Sequence, residues 1–373
     1  MPPLVIDIRS ADDARDVVHR AVQALTEGKL VALPTETVYG LAASALSESA
    51  VARVMETKAR SASKALALAI RSSDDVLDYV PDLSPLGQRL ARRCWPGPVT
   101  IVAVDCHPES LVRRLPGAVQ QVVCPGGTIG LRVPAHQMVL DILRMLVGPI
   151  VLTSANMSGG PEPITAEQVL TTMGNNVDLV LNDGQSRLGQ PSSVIRVDGK
   201  KFDILRAGVV PEPTLRRLSS LMIVLVCTGN TCRSPMAEVM CRAMIAKRLG
   251  CKPSEVEDRG VIVMSAGLSA MMGARPSPEG VQVMAKMGLE LADHESQPLT
   301  AQLVRQADQI WTMTRAHRQA IAAHWPEALQ RTAVLSVDQS DIADPIGGPL
   351  EYYETCAIQI KAQLERRVAE LDL

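Results

Sequence analysis

The densest reactive cluster in the chain is Cys227-Thr228-Gly229-Asn230-Thr231-Cys232-Arg233-Ser234, closed by Pro235. A thiolate attacks phosphorus well, and the phosphoryl group it takes must sit among fixed donors. Gly229 frees the backbone to curl so that successive N–H groups turn inward. Pro235, read as the first helical residue, aims a helix N-terminus at the enclosed anion. Arg233 carries a planar fork that holds two phosphoryl oxygens at once. This positive field favours the thiolate at Cys227, and Ser234 can donate to the sulfur when it leaves. A cysteine closing a buried strand is, taken alone, more often an inert core thiol. Cys, five residues, Arg, Ser at a strand-to-helix turn argues against that reading. Transfer also needs a proton for the leaving group, and Asp344-Pro345, in a loop after the last strand, offers a carboxyl of the right type. Asp-Pro is also a common turn initiator, and Asp341 stands nearby. Cys232 lies close enough to Cys227 for a reversible protective disulfide, with a loop thiol of no consequence as the alternative.

The first half holds a second, more scattered set. Pro34-Thr35-Glu36-Thr37-Val38-Tyr39-Gly40-Leu41 puts hydroxyls and a carboxylate at the end of an apolar strand, where a small ligand can bind or a turn can simply be capped. Lys58, Arg60 and Lys64 precede the strand 65–70, either as a solvated face or as phosphate clamps. Thr128 and Arg132 are an even number of residues apart on a strand and share a face, and a buried arginine needs an anion. Thr153-Ser154-Ala155-Asn156-Met157-Ser158-Gly159-Gly160 is a small polar loop after the strand 149–152. Pro191-Ser192-Ser193 and Leu205-Arg206-Ala207-Gly208 complete the set.

These residues need sheets to position them. Apolar runs at 30–33, 65–70, 99–104, 129–133, 149–152, 177–181 and 193–197, mixed with helical patterns near 12–26, 47–57, 84–93 and 136–146, predict an α/β unit with a twisted sheet of mixed strand direction. After 222 the alternation is regular: strands at 222–227, 261–265, 308–312 and 333–336, helices at 235–249, 277–287, 315–324 and 349–370. That pattern predicts a doubly wound parallel sheet with its ligand at the carboxyl ends of the strands. Between them, Pro211, Pro213 and paired serines interrupt the periodicity, so 211–221 reads as a linker between domains at 10–210 and 222–373.

Composition narrows the function classes. In 373 residues, 38 Lys plus Arg nearly balance 40 Asp plus Glu, and neither half has the basic excess of a nucleic-acid or membrane-surface binder. With 3 Trp, 4 Tyr and 1 Phe, stacked-aromatic platforms for RNA are disfavoured. The 8 cysteines are dispersed without a CxxC pair, and the acidic start MPPLVIDIRSADDARD is unlike a signal peptide, so reduced thiols in the cytoplasm are expected. No apolar run approaches the ~20 residues of a membrane span. No cluster marks a protein metal site, and Mg²⁺ is expected only as the companion of ATP.

Residues 222–373 resemble the low-molecular-weight protein tyrosine phosphatase family through CTGNTCRS at 227–234, SAG at 265–267, DQIWTMT at 308–314 and DPIGG at 344–348. The resemblance implies a phosphocysteine on Cys227, held by Arg233 and the loop from Thr228 to Ser234, with Asp344 as acid. Members specific for phosphoarginine have threonine at the place of Thr231, and DPIGG lacks the aromatic pair of phosphotyrosine enzymes. A protein arginine phosphatase acting on a phosphorylated protein is therefore the expectation.

Residues 10–210 resemble the YrdC/Sua5 family of threonylcarbamoyl-AMP synthases through PTETVYGL, K-x-R, WPGPVT, GLRVP, SANMSG, SSV and LRAG. The resemblance implies that L-threonine and bicarbonate form N-carboxythreonine, which attacks the α-phosphate of ATP and releases pyrophosphate. The product serves threonylcarbamoylation of adenosine 37 in tRNA by a separate transferase. It also assigns Lys58, Arg60, Thr128, Ser154, Asn156 and Arg206 to ATP, and Thr35, Arg132 and Ser192 to threonine. Ser61, Ala65 and Glu162 depart from the family pattern, and Glu162 adds negative charge near ATP if it points inward. Two alternatives follow: a weakened ATP-binding half beside a working phosphatase, or a module making weak tRNA contact.

Overall fold

Branched and small apolar residues become strands where packing covers both faces of a sheet. The computed structural model describes residues 2–59 and 65–373. The chain divides into two units, the first ending at Leu218 and the second beginning at Ser219. The first contains β1 (Leu4–Asp7), β2 (Val31–Leu33), β3 (Gly40–Ser44), β4 (Ala67–Ala69), β5 (Val99–Val104), β6 (Thr128–Arg132), β7 (Ile150–Ser154), β8 (Leu179–Asn182), β9 (Ser193–Asp198) and β10 (Lys201–Arg206). They form one sheet in the order β1-β8-β2-β3-β7-β4-β6-β5-β9-β10. Parallel pairs such as β4 with β6 and β5 with β9 are interleaved with antiparallel ones such as β3 with β7 and β5 with β6. The sheet is mixed, as the sequence predicts.

Alternation sorts the side chains into two cores. Val31, Leu33, Ala42, Ala69 and Ile150 meet Val17, Ala21 and Leu25 of helix Ala14–Thr26 and Ile142 and Leu143 of helix Gln137–Met145. Ala32, Leu41, Ala43 and Leu68 join the larger core on the other side, with Leu90 and Val51. Gly40 on β3 leaves room for the Leu152 side chain of β7: a Cβ on Gly40 would lie 2.6 Å from Leu152 Cδ1, and that side chain would have to move.

The segment 211–221 is not an irregular linker. Glu212–Ser219 is a helix whose Leu215 is fully buried in the first unit's core, with Arg216 over the Phe202 ring. Prolines at 211 and 213 suit a helix entrance, where N–H groups have no intrahelical acceptor anyway.

In the second unit β11 (Leu221–Cys227), β12 (Val261–Gly267), β13 (Gln309–Thr312) and β14 (Thr332–Val334) pair in parallel, in the order β12-β11-β13-β14. Ile223, Leu225 and Cys227 face a core with helices Arg233–Leu249 and Leu350–Ala369. Met222, Val224 and Val226 face one with Val304 and Ile321. Helices on both faces make the sheet doubly wound.

Candidate active sites

In the first unit one face of the sheet and the loops at its edge line a cavity of about 310 Å³, bordered by Thr35, Thr128, Arg132, Ser154, Ser192 and Arg206, together with Thr37, Thr100, Glu162 and Ala65. Six residues singled out for ATP or threonine thus face one space. Thr128 and Arg132 line it together with Gly130, the two-residue period expected of one strand face. Arg60, Ser61 and Lys64 lie outside the described residues.

Arg132 already has an anion. Its Nη2 donates to Glu36 Oε1 at 2.7 Å and to Thr37 Oγ1 at 2.9 Å, and its Nε donates to the Gly97 carbonyl at 3.2 Å. Glu36 Oε2 accepts from the Ala135 amide at 3.0 Å. Glu36 stood in the sequence only as the carboxylate of a polar turn, because nothing local links it to Arg132. Its neighbour Thr35 closes that turn, its hydroxyl donating to the Val38 carbonyl at 2.6 Å and accepting from the Thr37 amide at 3.3 Å.

Lys58 and Asn156 are not among the residues lining the cavity. Lys58 is buried, and its Nζ donates to the carbonyls of Ser154 at 2.5 Å and Asn156 at 2.8 Å and to Asn156 Oδ1 at 3.1 Å. Asn156 Oδ1 also accepts from Ser154 Oγ at 2.7 Å, and its Nδ2 donates to the Gly160 carbonyl at 2.6 Å. A buried ammonium needs such acceptors, so Lys58 holds the loop after β7 from behind. On the opposite wall Arg206 donates through Nε and Nη2 to the Ser192 carbonyl, at 3.2 and 2.8 Å, and through Nη2 to Ser192 Oγ at 3.1 Å. Gly208 allows this strap to lie flat, since a Cβ there would be 2.4 Å from the Ser192 carbonyl carbon. Glu162 does point inward, its Oε1 3.9 Å from Arg206 Nη1.

In the second unit the loop after β11 curls as expected. The carbonyls of Cys227, Thr228, Asn230 and Thr231 accept from Leu268 N, Ser269 N, His294 Nε2 and Ser277 N, which leaves amides to face the interior. The Asn230 amide points at Cys227 Sγ from 3.2 Å. Asn230 takes a left-handed φ of 56°, a conformation asparagine tolerates, and Gly267 gives it room, since a Cβ there would lie 2.5 Å from the Thr228 carbonyl.

A directed chain of hydrogen bonds ends on the sulfur. Ser265 Oγ donates to Glu238 Oε2 at 2.6 Å and accepts from Asn230 Nδ2 at 2.8 Å. The other Nδ2 hydrogen goes to Ser234 Oγ at 2.9 Å. The Ser234 hydroxyl then has two acceptors in reach, Cys227 Sγ at 3.0 Å and the Ala266 carbonyl at the outer limit of 3.5 Å, and the shorter contact directs its hydrogen to the sulfur. The helix begins at Arg233, with Cys232 as its cap, so Pro235 is the third helical residue and not the first.

Arg233 is buried and donates to the Ile342 carbonyl at 3.2 Å and to Asp344 Oδ2. Asp341 is occupied elsewhere, accepting from the Arg315 amide at 2.8 Å, which with the Arg315 guanidinium holds its carboxyl below the usual range. Of the two aspartates, Asp344 is the one at the arginine. Cys232 is a free thiol 3.5 Å from the Tyr353 hydroxyl, whose pKa burial pushes up to about 12. His317, absent from the sequence reading, bonds Thr228 Oγ1 through Nε2 at 2.9 Å. Histidine on a helix well downstream carried no signal that it packs under this loop.

Comparison with known proteins agrees with this division. The Sua5_yciO_yrdC family model, described as "Telomere recombination", matches residues 23–208, and the low molecular weight phosphotyrosine protein phosphatase model matches 222–372. A threonylcarbamoyl-AMP synthase of Pyrococcus abyssi is 37% identical over 195 residues, 52% of this chain and 54% of that protein; the chain thus spans about half that relative's length. The threonylcarbamoyl-AMP synthase of Mus musculus is 34% identical over 207 residues, 53% of this chain and 69% of that protein. Among solved structures, P. abyssi Sua5 complexed with L-threonine aligns with TM-score 0.52 at 24% identity, covering 70% of this chain and 92% of that one. A YwlE arginine phosphatase from Geobacillus stearothermophilus aligns at 32% identity with TM-score 0.35, covering 40% of this chain and 92% of that one.

Proposed function

The chain belongs to the Sua5/YciO/YrdC family, and from that premise we propose that its first unit makes L-threonylcarbamoyladenylate while its second removes phosphoryl groups from protein. The observation that carries the first activity is the convergence of Thr35, Thr128, Arg132, Ser154, Ser192 and Arg206 on one cavity. The L-threonine amine adds to bicarbonate carbon, a C–O bond breaks and water leaves, giving N-carboxythreonine, whose new carboxylate attacks the α-phosphate of ATP; the bond to the β-phosphate breaks and pyrophosphate leaves with its electron pair. Mg²⁺ enters with the triphosphate. The chain's work is to gather anions in one place and fix their geometry. Arg132, steadied through Nε and Nη2 by Gly97, Glu36 and Thr37, offers its Nη1 hydrogens to the threonine carboxylate, and Thr35 and Ser192 flank it. Arg206 and the Ser154 loop, braced by Lys58 and Asn156, take the nucleotide. The product is consumed by a separate transferase acting on adenosine 37 of tRNA.

In the second unit Cys227 Sγ attacks phosphorus, the leaving group takes its proton from Asp344, and Arg233 with the loop amides holds the equatorial oxygens. Water, giving its proton to the Asp344 carboxylate left by the first step, then displaces the sulfur, which leaves as a thiolate under the Ser234 donor. Thr231 in place of an apolar wall, and the absence of an aromatic pair after Asp344-Pro345, favour phosphoarginine as substrate.

Pyrophosphate release from ATP by the whole chain tests the first activity. Release that requires both L-threonine and bicarbonate, and that falls in Arg206→Ala but not in Cys227→Ser, supports it. Release independent of threonine refutes it and leaves a nucleotide-binding half beside a phosphatase.

A further inference from the structure

His317 sits on helix Arg315–His324, buried, with its Nε2 2.9 Å from Thr228 Oγ1. Its Nδ1 is also buried and has no hydrogen-bond partner among the described residues. Burial and the nearby Arg233 guanidinium lower the imidazole pKa to about 4, against the opposite pull of Asp344 and Asp341, so the ring is neutral near neutral pH. A neutral ring has one N–H to place. On Nδ1 it would be an orphaned buried donor, while on Nε2 it is used and Nδ1 keeps only an unfilled lone pair. Unfilled acceptors are tolerated more readily than orphaned donors. The geometry therefore makes Nε2–H the donor and Thr228 Oγ1 the acceptor.

This bond fixes a side chain at the rim of the phosphate loop. Thr228 follows the nucleophile directly and is exposed. Its hydroxyl has one hydrogen and two acceptor directions, and His317 occupies one of the latter. A second lone pair and the hydroxyl hydrogen stay available on this residue next to Cys227 in the loop. A guanidinium leaving group carries N–H donors next to its phosphorus, whereas a phenol ester has an oxygen and an apolar ring there. We propose that His317 is a positioning residue for substrate choice, holding the Thr228 hydroxyl so that its free lone pair accepts from the N–H of an N-phosphoryl guanidinium and so favours P–N over aryl P–O substrates. This inference rests on the phosphoarginine reading above.

The test compares kcat/KM of the full chain for phosphoarginine and for p-nitrophenyl phosphate. His317→Phe keeps the bulk and removes the donor; the ratio of the two values is expected to fall about tenfold, the worth of one hydrogen bond. His317→Gln, which restores an N–H, is expected to recover most of it. Thr228→Val, at an exposed position that does not endanger folding, should shift the ratio by the same factor, and the double variant no further. Equal loss on both substrates, or an unchanged ratio in Thr228→Val, overturns the proposal. A wild-type chain that turns over p-nitrophenyl phosphate and leaves phosphoarginine intact overturns the phosphoarginine reading, and this inference with it. A chain that cleaves phosphoarginine with the ratio unmoved by the variants overturns the inference alone.

Discussion

Arg132 Nη2 lies 2.7 Å from Glu36 Oε1, across 96 residues of sequence. The pair ties strand β6 to the turn after β2, with Arg132 lining the first unit's cavity, and both side chains are nearly excluded from solvent. A carboxylate that also accepts from the Ala135 amide is fixed at both oxygens, and it fixes the guanidinium in turn. Binding an amino-acid carboxylate to the Nη1 of a pre-oriented guanidinium avoids the entropy of ordering a free arginine.

Glu36→Gln keeps the shape and removes the charge. The KM for L-threonine in pyrophosphate release is expected to rise about tenfold, as loss of a charge-assisted bond implies. Glu36→Ala also leaves Arg132 buried without its partner, and the first unit should lose about 3 kcal/mol or more of stability, measurable by denaturant unfolding. A threonine KM equal to wild type in both variants would show that Arg132 needs no such support.

Glu162 predicts the opposite sign. Its carboxylate lines the cavity with Oε1 3.9 Å from Arg206 Nη1, and a triphosphate must displace it or tolerate its charge. Glu162→Gln is expected to lower the KM for ATP several-fold, with the effect shrinking as salt rises, because the interaction is partly exposed and therefore screened. An ATP KM that rises in this variant would mean that Glu162 orders Arg206 for the nucleotide instead of competing with it.

How much of this was legible depended on whether the signal was local. Met222 to Cys227 reads as a buried strand because every residue is apolar, and the loop that follows is specified by adjacent residues. β3, made of Gly40-Leu41-Ala42-Ala43-Ser44, escapes notice because small residues carry little strand signal; its pairing with β7 is what makes it a strand. β10 escapes because it is an edge strand with mostly exposed side chains. In the sites, Thr128 and Arg132 were found by their period, but Glu36 and His317 act through partners far away in sequence. From local sequence Lys58 is either a solvated cation or a phosphate clamp, and only tertiary structure turns its ammonium onto the Ser154 and Asn156 carbonyls.

His317 also makes stability depend on pH. Its pKa is lowered from 6.5 to about 4 in the folded chain, so between those values the unfolded state binds more protons. Its contribution is complete above about 6.5 and is lost as pH falls toward 4. Lowering pH from 7 to 4.5 should therefore reduce the second unit's melting temperature by several degrees more in wild type than in His317→Gln, which has no group to titrate there. Parallel losses in the two proteins would assign the acid sensitivity to other groups.

The polarity of the chain from Glu238 through Ser265, Asn230 and Ser234 to Cys227 separates the two chemical steps of the phosphatase. While Cys227 attacks, a donor on its sulfur gives little help, since it stabilises the thiolate that must react. When the sulfur departs from phosphorus, the same donor stabilises the charge that forms. Ser234→Ala is therefore expected to slow breakdown of the phosphocysteine about 10- to 100-fold while formation stays fast. Rapid mixing with p-nitrophenyl phosphate should then show a burst of nitrophenol equal to the enzyme concentration, with phosphorus trapped on Cys227. Ser265→Ala should give a weaker form of the same burst, because without the Ser265 acceptor Asn230 is less firmly held and Ser234 is freer to turn its hydrogen away. Slowing of the burst itself in Ser234→Ala would show that the hydroxyl serves attack, and the directed chain would then have no part in the leaving step.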